Sequence, residues 1–331
     1  MEALARLKLR PLGVWTTPWQ ADSLLGALAC SWARSHGAEA LRRDLLDPWR
    51  ADEPPFVLSD AFPGDCLPAP KTVPLWWDWP AERRKEVKKH RWLTAADFRR
   101  VQHGEQPKLE PVSVTVRDHV RLRNAVSRAT NTAGAGGELF EIPYSDMNEP
   151  DQGLSLYVRA TRRGIDVLMQ ALELLGRTGY GADASVGHGG FELLEEPGPC
   201  PALDDVPGAA GFISLSTWQP ARTDPVDGLW RVFVKYGKLA PEFHAAAVFK
   251  RPQVMLETGS CFRTGGPPRP YYGGAIGPDR LLAPEDRRSL AALDVHPTQA
   301  AFGLAVPTRW LSTRRERPEA TTPSSDAETR R

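Results

Sequence analysis

Hydrophobic and polar residues near the N-terminus alternate with the period of a β-strand. Within residues 4–12, Leu7 and Leu9 alternate with the basic residues Arg6, Lys8 and Arg10. This period of two is typical of a strand with one buried face, and here the other face is basic. The spacing then changes to that of a helix at residues 24–34, whose leucines share one face and whose start Asp22 or Ser23 can cap.

Similar patterns predict the remaining elements. Strand-like segments occur at residues 112–120, 138–142, 153–160, 191–194, 212–218, 229–236, 253–262 and 300–307. A second amphipathic helix is predicted around residues 165–175, and a modest one at 284–293. Residues 47–111 are punctuated by prolines, which predict a long loop-rich insertion.

Without the insertion, the first half reads strand, helix, strand, strand, helix, strand, which is the order of a ferredoxin-like (RRM-type) unit. We therefore expect an α+β fold of two ferredoxin-like units, the second degenerate. The first would span residues 1–200, with the insertion at about 47–111 and a glycine-rich loop at 179–190. The second would span 201–316, and the polar segment 317–331 would be a disordered tail.

Composition excludes several classes of protein. The 331 residues include 42 Lys or Arg and 41 Asp or Glu, so the chain is not a polycation. The four cysteines stand far apart without a Cys-x-x-Cys pair, which excludes a zinc knuckle. No apolar run is long enough for a membrane span, and no signal-like segment begins the chain. We expect a cytoplasmic protein with reduced cysteines, no metal and no cofactor.

The glycine-rich loop is the most distinctive local motif. Residues 179–191 contain five glycines, and such a run lets backbone N–H groups converge on an anion. A helix precedes the loop and a strand follows it, the reverse of the dinucleotide-binding order, and no Gly-Lys-Ser/Thr is present. Two interpretations stay open: a loop that binds phosphates or an RNA backbone, and a simple turn.

Basic clusters supply a second group of candidates. Residues 121–128 combine arginines with asparagine and serine, a mixture suited to phosphates and to unstacked bases of single-stranded RNA. A solvated basic face is the alternative. Residues 257–266 form another glycine-containing loop with an arginine in reach. The strongest basic run, residues 81–100, lies inside the predicted insertion.

The predicted insertion is also rich in tryptophan. Its tryptophans are Trp49, Trp76, Trp77, Trp79 and Trp92. They suit a hot spot for a protein partner, and they equally suit anchors for a long loop.

Evidence for catalysis is weak. The seven histidines show no metal-ligand spacing. His188 in the glycine-rich loop is the best acid–base candidate, but an isolated loop histidine is more often a contact residue. We therefore predict no catalytic residue.

Several segments together resemble the RAMP superfamily of CRISPR effector proteins. They lie at residues 20–28, 56–71, 123–128, 179–191 and 303–307, in the order that the family has them. The resemblance is greatest to the subunit of type III-A (Csm) effector complexes that caps the 5′ end of the guide RNA. In two places the chain departs from the family. Gln20 replaces a histidine common among relatives, and the glycine-rich loop has Asp183 and His188 instead of Lys or Arg.

The resemblance implies a non-catalytic RNA-binding scaffold in an antiviral ribonucleoprotein. It would hold the repeat-derived 5′ tag of the crRNA and link the large polymerase/nuclease-like effector subunit to the repeating backbone RAMP subunit. The residues expected to contact RNA are Lys8, Arg10, Asp22, Ser23, Arg121, Arg123, Asn124, Arg128, Gly179, Gly181, Ser185, Gly187, His188, Gly189, Gly190, Ser260 and Arg263.

Two alternative functions stay open. One is a metal-independent CRISPR RNA-processing endoribonuclease of the same superfamily, with His188 or His119 as the base. The other is a protein-only interaction module, which the near-neutral charge and the 11 tryptophans favour.

Overall fold

The computed structural model describes residues 1, 3–72, 79–126, 129–133, 139–239 and 249–310. The candidate Arg128, the tryptophans Trp76 and Trp77, and the tail predicted at 317–331 lie outside the described residues. Within the described ranges, no helix is both long enough and apolar enough to cross a membrane.

The described residues form both helices and strands. The strands are β1 (Ala5–Pro11), β2 (Phe56–Leu58), β3 (Phe62–Pro63), β4 (Leu67–Pro68), β5 (Trp92–Leu93), β6 (Val116–Asn124), β7 (Leu139–Met147), β8 (Leu154–Ala160), β9 (Phe191–Pro199), β10 (Gly211–Ser214), β11 (Gly228–Leu229), β12 (Val232–Lys235), β13 (Gln253–Leu256), β14 (Cys261–Arg263), β15 (Tyr271–Ile276) and β16 (Gln299–Thr308). The α-helices are α1 (Ala21–Leu41), α2 (Asp47–Arg50), α3 (Ala81–Val87), α4 (Ala95–Gln102), α5 (Arg162–Thr178), α6 (Pro278–Leu281) and α7 (Pro284–Ala291).

The first sheet is antiparallel and has the N-terminal strand in its interior. Its strand order is β2-β8-β1-β9, and β3 also pairs with β8. The helices α1 and α5, which follow β1 and β8 along the chain, contact each other. Thr161 is the N-cap of α5, and its hydroxyl accepts a hydrogen bond from the backbone N–H of Gly164. This N-cap satisfies one of the free donors at the helix start.

The second sheet is built from the C-terminal third of the chain. Its order is β11-β14-β10-β16-β15, and β12 and β13 form a separate antiparallel pair beside it. Phe212, Trp218, Phe262 and Tyr272 pack together under this sheet, with 4.0 Å between the ring centres of Phe212 and Tyr272. The predicted α+β class is confirmed.

The prediction of a loop-rich insertion at residues 47–111 is wrong for its first part. This range contains the sheet strands β2 and β3, and Phe56 and Phe62 are fully buried. The segment 116–124, by contrast, leaves the sheet and forms a separate hairpin with β7. The strand β2 escapes detection because it has only three residues, all buried, so no alternation is visible.

Two of the three described tryptophans of this range are buried in the protein interior. Trp49 and Trp79 are buried, and Trp92 is half-buried. For Trp49 and Trp79, the structure favours anchors of a folded segment over an exposed hot spot.

The two sheets meet around the buried carboxylate of Asp60. Its Oδ1 accepts hydrogen bonds from the backbone N–H groups of Ala21 (2.8 Å) and Thr217 (2.7 Å). Its Oδ2 accepts one from the Thr217 hydroxyl (2.8 Å). Burial raises the pKa of Asp60 to about 6, although these three donors act in the opposite direction. One side chain therefore joins the start of α1 to the second half of the chain.

We expect the stabilising effect of Asp60 to depend on pH. The folded protein takes up this proton near pH 6, whereas the unfolded chain takes it up near pH 4. Stability therefore rises as the pH falls through this range, by about 3 kcal/mol. Asp60→Asn should lack this change, because the amide is neutral and its oxygen still accepts both backbone hydrogen bonds.

Urea denaturation of the wild type and of Asp60→Asn at pH 7 and at pH 4.5 measures the effect. The free energy of unfolding of the wild type, minus that of Asp60→Asn, should be larger at pH 4.5 than at pH 7. The same difference at both pH values would contradict the assigned titration.

Candidate nucleic-acid interface

The glycine-rich loop packs on the segment between β1 and α1. The backbone N–H of Gly189 donates to the carbonyl of Val14 (2.9 Å), and that of Ala182 donates to the hydroxyl of Thr17 (2.9 Å). Inside the loop, the N–H of Tyr180 donates to the carbonyl of Gly189 (2.8 Å). The loop is therefore part of the folded framework.

Close approach explains three of the glycines. At Gly179, with φ +86°, a Cβ would lie 2.8 Å from the carbonyl oxygen of His188. At Gly181, with φ +85°, a Cβ would lie 2.4 Å from the Thr17 side chain. At Gly189, with φ +69°, it would lie 2.0 Å from the carbonyl oxygen of Tyr180. At Gly187, with φ +91°, it would meet no atom within 4 Å. The loop thus needs glycine at 179, 181 and 189 for packing as well as for backbone conformation.

A pair of alanine substitutions separates these two requirements. Gly187→Ala should cost about 1 kcal/mol, because only its left-handed backbone becomes unfavourable. Gly189→Ala should cost about 2 kcal/mol more, because the added methyl group also collides with Tyr180. Urea denaturation of both variants gives the comparison. Equal losses of stability would show that the close approach does not hold the loop.

The loop also positions an aromatic cluster. The Tyr180 hydroxyl donates to the carbonyl of Pro18 (2.8 Å), and its ring centre lies 4.6 Å from that of Trp19. Trp19 packs edge-on against Phe191 at the start of β9. Burial raises the pKa of Tyr180 well above its usual value, so the hydroxyl stays protonated and donates.

The candidate residues of the loop differ in exposure. Gly181, Ser185 and Gly187 are exposed, whereas Gly179 and Gly190 are half-buried. Gly189 and His188 are buried, and His188 Nδ1 lies 3.0 Å from the Thr16 hydroxyl oxygen. Only the exposed tip of the loop is available to a ligand in this structure.

The structure does not support the expectation of a free basic face on β1. Lys8 is buried, and its Nζ lies 3.0 Å from Asp65 Oδ1 and 3.6 Å from Glu195 Oε1. Arg10 pairs with Glu192 of β9 and with a second carboxylate, that of Asp151. Carboxylates distant in sequence therefore already neutralise both cations.

Asp22 and Ser23 also have internal partners. Lys235 Nζ donates to Asp22 Oδ1, Ser23 Oγ and Gln20 Oε1, each at 2.7 Å. Gln299 donates to the other oxygen of Asp22 at 3.1 Å. These side chains join α1 to β12 and β16, so the structure does not support direct RNA contacts for Asp22 and Ser23.

The hairpin of β6 and β7 has a basic face. The Arg121 guanidinium lies 5.2 Å from the ring centre of Tyr144, and His119 stacks on the same ring at 5.1 Å. Arg123 forms an ion pair with Asp183 at 3.3 Å. The arginine-rich strand and the glycine-rich loop, predicted separately, therefore meet in the structure.

The opposite face of the hairpin exposes several apolar side chains to solvent, together with Glu141, which lies opposite Leu122. Val120 and Leu122 on β6 are 60% and 62% exposed, and Leu139 on β7 is 65% exposed. Asn124 lies opposite Leu139 in the hairpin register. Because side chains alternate along a strand, Asn124 belongs to this apolar face and not to the face of Arg121.

Ser260 and Arg263, the last two residues expected to contact RNA, do not join the other candidates in the structure. Ser260 is buried, and its hydroxyl donates to the carbonyl of Glu257. Arg263 is exposed beside a shallow depression that Gly265 and Gly266 also line. Ser260 has a structural role, whereas Arg263 is accessible.

Residues that sequence reasoning missed line a groove of about 680 Å³ between the two halves of the chain. Its exposed cations are Lys88, Lys89, Arg91 and Arg231. The basic run at 81–100 was the available signal, but charge along the chain could not show which side chains face a groove.

Comparison with known proteins gives matches at the level of structure. No protein-family model matches the chain, and no curated protein matches it. A chain of the Csm1-Csm4 cassette in complex with cA4 has 18% identity and a TM-score of 0.62, covering 94% of this chain and 100% of that chain. A chain of the cassette in complex with pppApA has 19% identity and a TM-score of 0.60, covering 94% of this chain and 99% of that chain.

A second kind of assembly gives a similar match. A chain of the Csm3-Csm4 subcomplex in the type III-A CRISPR-Cas interference complex has 13% identity and a TM-score of 0.57, covering 93% of this chain and 100% of that chain. The chain therefore has the fold of a subunit of type III-A CRISPR-Cas assemblies. Csm4 is the component that these assemblies have in common. The predicted resemblance to CRISPR effector subunits is confirmed for the fold.

Proposed function

We propose that the chain is a Csm4-like RAMP subunit of a type III CRISPR effector complex. It holds the repeat-derived 5′ tag of the crRNA and links the large subunit to the repeating backbone subunit. The observation that carries the proposal is the end-to-end fold match to chains of both a Csm1-Csm4 and a Csm3-Csm4 assembly. The two matches cover 94% and 93% of this chain.

The proposal includes two ferredoxin-like units. In the first sheet, the first and third strands of such a unit, β1 and β8, are central, and β9 and β2 flank them. The helices α1 and α5 occupy the two helical positions of this unit. In the second sheet, β10 and β14 are central between β16 and β11, and β15 is an addition. No α-helix lies between β10 and β11 in the fully described segment 211–229, as expected of a degenerate unit.

The proposal assigns no catalytic role to the chain. His188, the best acid–base candidate, is buried, and its Nδ1 is hydrogen-bonded to the Thr16 hydroxyl. His119 lies 3.4 Å from Asp146 and stacks on Tyr144 in the hairpin. Both imidazoles thus have contacts that a purely structural role explains.

The hairpin suits a subunit that contacts RNA and protein together. Its basic face offers Arg121 beside an aromatic ring, an arrangement that suits phosphates and bases. Its apolar face exposes Val120, Leu122 and Leu139, and clustered exposed apolar side chains are typical of protein interfaces. We assign the first face to the crRNA and the second to a protein subunit.

Reconstitution tests the proposed function. The full chain would be co-expressed with a large polymerase-like subunit, a backbone RAMP subunit and a repeat–spacer array from the same genome. We expect it to co-purify with both proteins and with RNA of one uniform 5′ end, because holding that end is its proposed role. RNA sequencing and the mass of the complex are the measurements.

Two outcomes would favour the alternatives. Cleavage of repeat RNA by the purified chain in the presence of a chelator, lost in His188→Ala or His119→Ala, would favour the endoribonuclease. Protein complexes that form normally without RNA, and a chain with no salt-dependent RNA affinity, would favour the protein-only module.

Adjacent substitutions on the hairpin test the assignment of its faces. Leu122→Glu should reduce co-purification of a protein subunit at least tenfold, because it places a charge in an apolar contact. Arg121→Ala should instead weaken RNA retention and leave the protein contact intact. The two residues are neighbours on one exposed strand, so each variant is the control for the other. The reverse pattern would assign the face of Arg121 to the protein subunit and the face of Leu122 to the crRNA.

A further inference from the structure

We propose that Arg123 and Asp183 form an ion-pair latch, which holds the outer half of the β6–β7 hairpin against the glycine-rich loop in the unbound chain. A phosphate that replaces the Asp183 carboxylate beside Arg123 would open the latch and release the hairpin. The choice of an RNA phosphate rests on the proposed function. The latch itself is inferred from the ion pair and from the few attachments of the hairpin to the rest of the chain.

The hairpin is attached to the rest of the chain near its base. The backbone N–H of Trp15 donates to the carbonyl of Ser145 (3.0 Å), and the N–H of Ser145 donates to the carbonyl of Trp15 (2.8 Å). Ser145 lies opposite Asp118, which forms the third pair of a register that runs from Val116 to Asn124. Beyond this point, the described residues of β6 and β7 form backbone hydrogen bonds only with each other.

The outer half of the hairpin has a separate attachment. Arg123 lies five positions beyond Asp118, which is about 17 Å along a strand. Its guanidinium is 3.3 Å from Asp183 Oδ2 in the glycine-rich loop. No other hydrogen bond or ion pair between described residues joins residues 119–124 or 139–144 to elements outside the hairpin. One ion pair therefore holds this half in place.

The local turn does not explain the carboxylate of Asp183. Its φ is +62°, in the left-handed region, and Gly181 and Gly187 on either side also have positive φ. An aspartate is less favourable than glycine in this conformation. The side chain of Asp183 makes no capping hydrogen bond to the short helical turn at residues 184–186. Its cationic partner within the described part of the chain is Arg123.

The exposure of the pair suits a contact that opens and closes. The side chains of Arg123 and Asp183 are 30% and 26% exposed. An ion pair that water still reaches changes an equilibrium by a factor of up to about five. This is enough to favour the closed hairpin. A phosphate can compete with the carboxylate, because it accepts two charge-assisted hydrogen bonds from one guanidinium.

The closed latch occupies one cation of the basic face. Arg121 lies two residues before Arg123 and therefore on the same face. It is exposed beside the ring of Tyr144, and it has no carboxylate partner among the described residues. A polyanion can thus meet Arg121 first and then displace Asp183 from Arg123. A ligand that binds the open state more tightly shifts the hairpin towards that state.

Hydrogen exchange measured by mass spectrometry on the full chain tests the latch without a ligand. Asp183→Asn removes the charge and keeps a residue that tolerates the left-handed conformation. Amide exchange in residues 119–124 and 139–144 should become roughly two- to fivefold faster, because the outer half opens more often. Exchange in the buried strand β8 should not change. The control Asp166→Asn removes an exposed carboxylate from α5 and should leave the hairpin as it is in the wild type.

Salt gives a second test on the same samples. Raising the ionic strength from about 0.05 M to about 0.5 M screens exposed charges. It should speed exchange of the outer hairpin in the wild type and have no such effect in Asp183→Asn. Equal exchange of the hairpin in the wild type and in Asp183→Asn at low salt would overturn the latch.

Fluorescence anisotropy with a labelled oligouridine tests whether phosphates open the latch. Asp183→Asn should tighten binding roughly two- to fivefold, because the RNA no longer has to displace a carboxylate. Arg123→Ala should weaken binding. In the Arg123→Ala background, Asp183→Asn should have no further effect, because no latch is left to open. Equal tightening in both backgrounds would show that Asp183 only repels RNA, and it would overturn the competition for Arg123.

The result can be separated from that of the proposed function. If exchange and binding respond as expected but no complex forms in reconstitution, the latch stands and the proposed function fails. If the chain assembles with its partners and RNA while Asp183→Asn leaves exchange unchanged, only the latch is wrong. If exchange responds but oligouridine does not bind, the opening by an RNA phosphate is wrong.

Discussion

A buried carboxylate without a cation beside it is kept only where hydrogen-bond donors replace the water that it has lost. Asp60 meets this condition with donors from two separate parts of the chain, Ala21 and Thr217. The start of α1, the end of β2 and the second sheet are thereby held at fixed distances. The groove lies directly over this junction, because Asp60 and Thr217 are among its lining residues. Its shape therefore depends on the junction.

Charge pairing explains how a nearly neutral chain can still have a local excess of positive charge. On β1, acidic residues of β9 and of nearby loops match the cations. Around residues 87–92, the cations remain exposed. Net charge is a sum over the chain and says nothing about where pairing occurs, whereas local excess determines the attraction for phosphates.

Sequence reasoning succeeded where elements are long enough for the spacing of apolar and polar residues to repeat. The strands β1 and β8 have seven residues each and α5 has 17, which is enough for periodicity to be visible. It failed for β15, where Gly273 and Gly274 interrupt the apolar pattern. For the candidate site, it found the arginines of the hairpin and the glycine-rich loop. It could not foresee the carboxylates opposite Lys8, because Glu195 reaches that position only through the sheet register.

The glycine-rich loop and the groove share one structural element, the segment before α1. Without a side chain at 181, the loop can approach Thr17 closely, and without one at 189 it can fold back on Tyr180. Tyr180 then donates to Pro18 and packs on Trp19. Pro18 and Trp19 in turn line the groove on the other side of that segment. A loop expected from sequence to touch RNA through its backbone thus has a second physical role. It supports the residues that line one side of the groove, so glycine at 181 and 189 is required even if no phosphate touches the loop.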